Sequence, residues 1–233
     1  KTGIEQRMES ELRGHAGTLR IEVSAAGRVM RELSRVEGTA GGDLTLTLDE
    51  NLQTYAMRRM AGESAAAVVI DVANGDIVAL ASSPGFDPNL FVFGIGARDW
   101  NALLQDEYRP LAAKAVTGAY PPGSTFKPVV ALAALTAGTM RPGDRVHCPG
   151  FTSLGNRRFH CWKRGGHGSV DLRQSLSQSC DCYYYEAARR TGADAISAMA
   201  HKLGLGYRHD LPLPAVAEGL TPNSAWKKTA RSE

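Results

Sequence analysis

Residues 124–137 read Ser-Thr-Phe-Lys-Pro-Val-Val-Ala-Leu-Ala-Ala-Leu-Thr-Ala, an apolar run that stops at Gly138. Such a run fits a buried helix, and Pro128 limits where that helix can begin. A proline inside a helix removes a backbone hydrogen bond and clashes with the preceding turn, whereas first-turn amides have no partner to lose. The helix therefore starts near Ser124, and Tyr120-Pro-Pro-Gly123 turns the chain sharply into it. A helix this apolar has to be covered on most sides. The chain has 233 residues, 43% hydrophobic and 22% charged, enough for one sizeable core or for one domain and part of another.

Residues 1–43 are rich in charge and glycine; Ile21-Glu22-Val23 alternates like a strand and Gly27-Arg28 makes a turn. Gly41-Gly42 closes that stretch, and Leu44 to Leu48 alternates Leu and Thr as a half-buried strand ahead of Asp49, a natural helix N-cap. We therefore expect an accessory segment over 1–43 and a main domain over 44–233. Leu52, Tyr55, Ala56 and Met60 fall on one helical face. Ala65 to Ile70 meets Ile77 to Ala81 across Ala73-Asn74-Gly75-Asp76, and Asn-Gly predicts a hairpin turn with both central residues at positive φ. Residues 139–168 read as loop, and helices are expected over 171–191 and 193–203. A hairpin with buried helices is α+β architecture. Lys1 to Glu11 already read as the interior of a folded unit, so both ends look like cuts.

A formal net charge of +3, with the basic pairs Arg157-Arg158, Lys163-Arg164 and Lys227-Lys228 scattered, does not make the dense basic face that nucleic acid requires. No run of about 18 apolar residues and no signal-peptide pattern is present, so any anchor or targeting segment is expected outside these residues. Cys148, Cys161, Cys180 and Cys182 cluster in one stretch, which fits disulfides, a metal site or buried small hydrophobes. The pattern Cys148-x12-Cys161-x5-His167-x12-Cys180 offers three thiolates and one imidazole, a set suited to a closed, structural tetrahedral zinc. A Cys148–Cys161 disulfide and unliganded thiols are the competing readings. Cys182, two residues beyond Cys180, points to another helical face and is expected in the core.

Ser124-Thr125-Phe126-Lys127 is Ser-x-x-Lys, a spacing that puts hydroxyl and amine on one helical face within hydrogen-bond reach. A neutral lysine could take the serine proton as attack begins, and the amides of the helix start could hold an oxyanion. The bare pattern is common and recurs at Ser224-Ala225-Trp226-Lys227. Context separates the two, because Ser224 lies in a polar, lysine-rich segment expected at the surface.

Tyr120-Pro-Pro-Gly-Ser-Thr-Phe-Lys-Pro128 resembles the active-site segment of class B penicillin-binding proteins. Leu44 to Asp49, Val69-Ile-Asp-Val72, Ala79-Leu-Ala-Ser-Ser-Pro84, Asp87-Pro-Asn89, Cys161-Trp162, Gly166-His-Gly168 and Ser179 to Tyr185 are similar to that family as well. The details resemble most its rod-elongation branch, with Lys1 to Thr39 similar to the end of the non-catalytic pedestal. The resemblance implies the penicillin-binding transpeptidase and serine β-lactamase-like fold, an antiparallel sheet with helices, its C-terminal part missing here. It implies Ser124 as nucleophile and Lys127 as base. The second motif, Ser-x-Asn, appears as Ser179-Cys180-Asp181, where Ser179 would relay a proton and Asp181 would orient Lys127 or a substrate amide. Ser169-Val170-Asp171 is a rival match, but Asp171 fits a helix cap. The third motif, Lys-Thr-Gly on a late strand, has its only copy at Lys1-Thr2-Gly3, ahead of every other motif and therefore a decoy. Loss of one oxyanion donor typically costs about 10²- to 10³-fold in rate, so this fragment is expected to be nearly inactive.

The implied reaction is peptidoglycan cross-linking. Ser124 attacks the penultimate D-alanine carbonyl of a stem peptide, terminal D-alanine leaves, and an amine of a neighbouring stem resolves the acyl-enzyme. β-Lactams would stall at the acyl stage, and no organic cofactor is implied. Implied partners are stem peptides, a glycosyltransferase and elongation-complex proteins that set cell shape. The implied place is the periplasmic face of the bacterial inner membrane, on an N-terminal helix outside these residues. In some members of the branch a metal is held by Asp, His and Cys at positions corresponding to the cysteine cluster. Two rival functions stay open: hydrolysis of the acyl-enzyme, as in a carboxypeptidase or β-lactamase, for which no water-activating glutamate motif is evident, and a non-catalytic sensor or interaction domain.

Overall fold

The computed structural model describes residues 2–231, so Lys1 of the Lys1-Thr2-Gly3 copy lies outside the described residues. Two compact units divide the chain: Lys1–Gly118 with Asp210–Ala217, and Ala119–His209 with Glu218–Glu233. No helix among the described residues is long and apolar enough to cross a membrane.

In the first unit, short helices α1 (Gly3–Arg7) and α2 (Glu9–Leu12) precede an antiparallel hairpin of β1 (Thr18–Val23) and β2 (Val29–Val36). The turn is closed by Ser24 N–H to Arg28 O, with Gly27 at φ 77°, as Gly27-Arg28 predicts. Asp49 caps α3 (Glu50–Arg59) by accepting from the Leu52 amide at 2.8 Å. The strand expected over Leu44 to Leu48 does not form. That segment runs beside β4 (Ile77–Ser83) with one backbone bond, Asp49 N–H to Val78 O, and one from the Thr47 hydroxyl to Ile77 O, too few for a ladder. The inward face of α3 also differs from expectation, since Tyr55 is exposed and Gln53 faces β4 instead. Gln53 donates from Nε2 to Leu80 O at 2.9 Å and accepts from Leu80 N–H at 2.8 Å, taking the place of a neighbouring strand.

The predicted hairpin of β3 (Ala65–Ile70) with β4 forms, but its turn is not the two-residue type. Only Gly75 takes positive φ. Asp71 and Asn74 side chains accept from the amides of Ala73 and Asp76 and build a longer connection, with a register shift at Val69/Ile70. Helices α4 (Ala97–Gln105) and α5 (Lys114–Thr117) complete this unit, and Ala217 N–H to Val116 O ties in the late segment.

The second unit is built around α6 (Lys127–Thr136). Ser124 sits in a 3₁₀ turn, Gly123–Phe126, that feeds directly into α6, so the proline-based start is right to within one turn. Gly138 at φ 67° ends the helix, with the Thr139 and Met140 amides returning to Ala134 O. Val130, Ala131 and Ala134 of α6 pack with Val170, Tyr183 and Ala187, while Leu132 and Leu135 stay exposed.

The stretch read as loop, 139–168, contains three short strands and the first residue of a fourth. β5 (Val146–Cys148) pairs with β8 (Gly168–Val170), and β6 (Phe151–Leu154) pairs with β7 (Arg157–His160). At three or four residues each they carry no legible period. The helix expected over 171–191 is broken into α7 (Leu172–Ser177) and α8 (Asp181–Thr191). Asp171 caps α7 in a reciprocal box with Gln174, and the break falls at Ser179, which takes a left-handed φ of 51°. Helices α9 (Ala193–Lys202), close to the predicted 193–203, and α10 (Ser224–Arg231) follow.

Candidate active site and metal centre

Lys127, the first residue of α6, reaches the break between α7 and α8. Its Nζ donates to Ser179 O at 2.8 Å, Ser179 Oγ at 2.8 Å and Asp181 Oδ1 at 2.6 Å. The Tyr184 ring lies 5.8 Å away. The three acceptors match the three donor positions of a lysine ammonium group. The left-handed turn at Ser179 makes the set possible, because it aims the carbonyl and hydroxyl of one residue at the same amine.

Asp181 heads α8. Burial opposes its charge, but the hydrogen bond from Lys127, the Trp162 backbone amide at 2.9 Å and the Lys127 charge hold its pKa below the ordinary carboxylate value. The hydrogen bond expected between Ser124 and Lys127 is not formed. The amine instead joins an oppositely charged carboxylate, a stronger acceptor than a neutral hydroxyl. Ser124 is exposed and its hydroxyl makes no hydrogen bond among the described residues.

The rival motif residues are engaged elsewhere. Ser169 accepts from Arg145 at 2.9 Å and Asp171 is occupied as a cap, while Ser224 is exposed at the start of α10.

The four candidate metal ligands converge. The ligand atoms of Cys148, Cys161, His167 and Cys180 lie within 4.8 Å of one another. Tetrahedral zinc, with Zn–S about 2.3 Å and Zn–N about 2.0–2.1 Å, has S···N edges of about 3.5–3.6 Å. Cys148 and Cys161 Sγ stand 3.6 and 3.5 Å from His167 Nδ1. The donor set and its spacing thus fit a tetrahedral metal. All four cysteines are free and buried, so neither the Cys148–Cys161 disulfide nor any other is formed. Burial opposes the Cys148 thiolate, yet the His167 amide and ring hold the thiol down at about 6. Burial pushes Cys180 up to about 12. Cys182 packs in the core, as its helical position predicts.

Two glycines let this cluster close. Gly166, at φ 77°, carries the chain so near Cys148 O that a Cβ would collide with it, and Gly150 at φ 100° approaches Arg164 O in the same way. Gly166→Ala is therefore expected to lower stability by roughly 2–4 kcal/mol, from left-handed strain plus backbone collision, read as a fall in denaturation midpoint. Gly165→Ala, with open space at its Cβ, is the control that should change little.

The residue that the sequence reading left without a role is Trp162. Its backbone amide donates to Asp181 Oδ2, and its indole N–H donates to Gln178 O at 3.0 Å and Ser179 O at 3.1 Å. Its position directly after the ligand-type Cys161 was the available signal.

The fold thus brings together a serine at a helix entry, a lysine three residues on, and a Ser-x-Asp turn closing over that lysine. Residues 65–232 match the penicillin binding protein transpeptidase domain, and the chain belongs to that family. Residues 1–46 match the penicillin-binding protein dimerisation domain. Among curated relatives, the peptidoglycan D,D-transpeptidase MrdA of Escherichia coli K12 is 41% identical over 98% of this chain and 36% of its own length. The chain thus spans about a third of that relative. PBP2 of Pseudomonas aeruginosa, solved in complex with WCK 5153, has a TM-score of 0.85 at 37% identity, covering 100% of this chain and 49% of that one. PBP2 of Helicobacter pylori, solved in complex with MreC, has a TM-score of 0.87 at 30% identity, covering 100% and 44%. The expected α+β transpeptidase fold is borne out.

Proposed function

We propose that these residues belong to a peptidoglycan D,D-transpeptidase of the rod-elongation type, comprising the end of the non-catalytic pedestal (1–43) and part of the transpeptidase domain (44–233). The observation that carries this reading is the convergence of Ser179 and Asp181 on Lys127 at the helix entry that presents Ser124. Ser124 is the nucleophile and Lys127 its base. To act as base, Lys127 must be in its neutral form, one ammonium proton having gone to bulk water. It then takes the proton of Ser124 as the Oγ–carbon bond forms, and Ser179 Oγ, 2.8 Å from Nζ, passes it to the leaving D-alanine amine. Asp181 holds the lysine in line. An amine of a second stem peptide then displaces Ser124.

The activity is that of the full-length protein, since this chain spans about a third of the curated relative it matches. That protein works at the periplasmic face of the inner membrane, anchored by an N-terminal helix, with a glycosyltransferase and an elongation-complex partner of the kind seen with the Helicobacter relative. β-Lactams acylate it as substrate mimics.

Cys148, Cys161, His167 and Cys180 would hold a structural zinc, and through these four side chains the 148–168 region would be tied to the segment bearing Ser179.

Mass spectrometry of the full-length protein after penicillin treatment tests the assignment. One adduct on Ser124, lost in Ser124→Ala, is expected. An adduct on Ser224 or elsewhere, or one that survives the substitution, overturns it.

A further inference from the structure

Every group that accepts a proton from Lys127 belongs to one of two residues, Ser179 or Asp181, and Trp162 donates to both. Its backbone amide takes Asp181 Oδ2 at 2.9 Å, leaving Oδ1 to Lys127. Its indole N–H takes Ser179 O at 3.1 Å, the same carbonyl that accepts from Lys127 at 2.8 Å. Lys127 and Trp162 therefore grip the left-handed Ser179 turn from two sides. An L-residue at φ 51° is strained and needs surrounding contacts to persist, and the indole N–H supplies one hydrogen bond to this turn, shared between Gln178 O and Ser179 O.

The remainder of the tryptophan is not packing. The residue is 65% exposed, with its ring set edge-on to His167 at 5.4 Å and its polar edge turned into the protein. A tryptophan whose main work is filling space is covered.

We propose that Trp162 is a positioning residue for acylation, acting through Ser179 and Asp181 to keep the acceptors of Lys127 in place. The proposal rests on the assignment of Ser124 and Lys127 to acylation made above. It also gives the ligand-type cluster a mechanical route to the site, through the peptide bond from Cys161 to Trp162.

The test is acylation of full-length protein by a fluorescent penicillin under saturating conditions, with the limiting rate and the half-saturation concentration measured separately. Trp162→Phe keeps a ring beside His167 and loses the N–H. The limiting rate should fall about 2- to 10-fold, the worth of one hydrogen bond, with half-saturation unchanged because the N–H points into the protein. Benzothienylalanine placed at 162 keeps both rings and drops only the N–H, so it should reproduce the fall even if the Phe variant folds poorly. A wild-type limiting rate with benzothienylalanine at 162 overturns the proposal. So does an unchanged rate with raised half-saturation, since the ring would then be contacting the ligand. No adduct on Ser124 in the unmodified protein sinks the underlying assignment, a result distinct from either.

Discussion

Full-length protein carrying Lys127→Ala is expected to acylate about 10²- to 10⁴-fold more slowly than the unmodified protein, the usual contribution of a positioned general base. The same substitution should also destabilise the fold. The amine makes three hydrogen bonds, one of them to a carboxylate that is only 21% exposed, and its removal leaves Asp181 without its oppositely charged partner. A loss of roughly 1.5–3 kcal/mol is expected, since bonds to charged groups are worth about that much. The Ser-x-x-Lys spacing speaks only to the chemical role of Lys127. The geometry assigns it both jobs. The stability difference has a pH sign: the folded pKa of Asp181 is depressed, so the pair stabilises above the ordinary carboxylate range and that advantage disappears as pH falls through the depressed value. Normal labelling of the alanine variant would remove Lys127 from the mechanism. Equal stability of the two proteins at neutral pH would remove the ion pair from the fold.

What was legible in the sequence was whatever has a steric or periodic signature. Pro128 placed the start of α6 within one turn, Asp49 and Asp171 announced their caps, and Asn74-Gly75 between two apolar runs announced a hairpin. The break at Ser179 had no such mark, since serine has no preference for left-handed backbone and the flanking residues read as continuous helix. That break is what points Ser179 and Asp181 at Lys127, so the internal geometry of the site was hidden even where its residues were not. The four short strands between 146 and 170 were missed because three or four residues cannot display a period, and the Leu44–Leu48 alternation misled because a strand also needs a partner ladder.

Purified full-length protein is expected to contain about one zinc per chain, and Cys161→Ser or His167→Ala should reduce this to near zero, because a closed tetrahedral site tolerates no missing ligand. The melting temperature should fall with it, by about 6–20 °C if the site contributes roughly 3–5 kcal/mol, at the 2–4 °C per kcal/mol usual for domains of this size. The chain connectivity adds a second expectation. Cys180 lies between Ser179 and Asp181, and Cys161 precedes Trp162, so loss of the ion loosens both arms of the grip on Lys127. Acylation should therefore slow in both variants at temperatures where they are still folded. Elemental analysis that finds no near-stoichiometric zinc, or peptide mapping that finds a disulfide among the four cysteines, sinks the assignment. Intact acylation in a zinc-free folded variant would separate the cluster from the site.

The amide of Gln53 has a directional consequence for the first unit. By occupying Leu80 N–H and O, with Asp49 N–H on Val78 O and the Thr47 hydroxyl on Ile77 O, the α3 segment seals one side of the β3–β4 ribbon at successive positions. An incoming extended segment finds no template there. On the opposite side no backbone bond is made by residues 66–70 among the described residues apart from those to β4, and Val68, Val69 and Ile70 are exposed. The ribbon can be widened in one direction only, and any strand that joins it, from the same protein or from another, must zip onto β3.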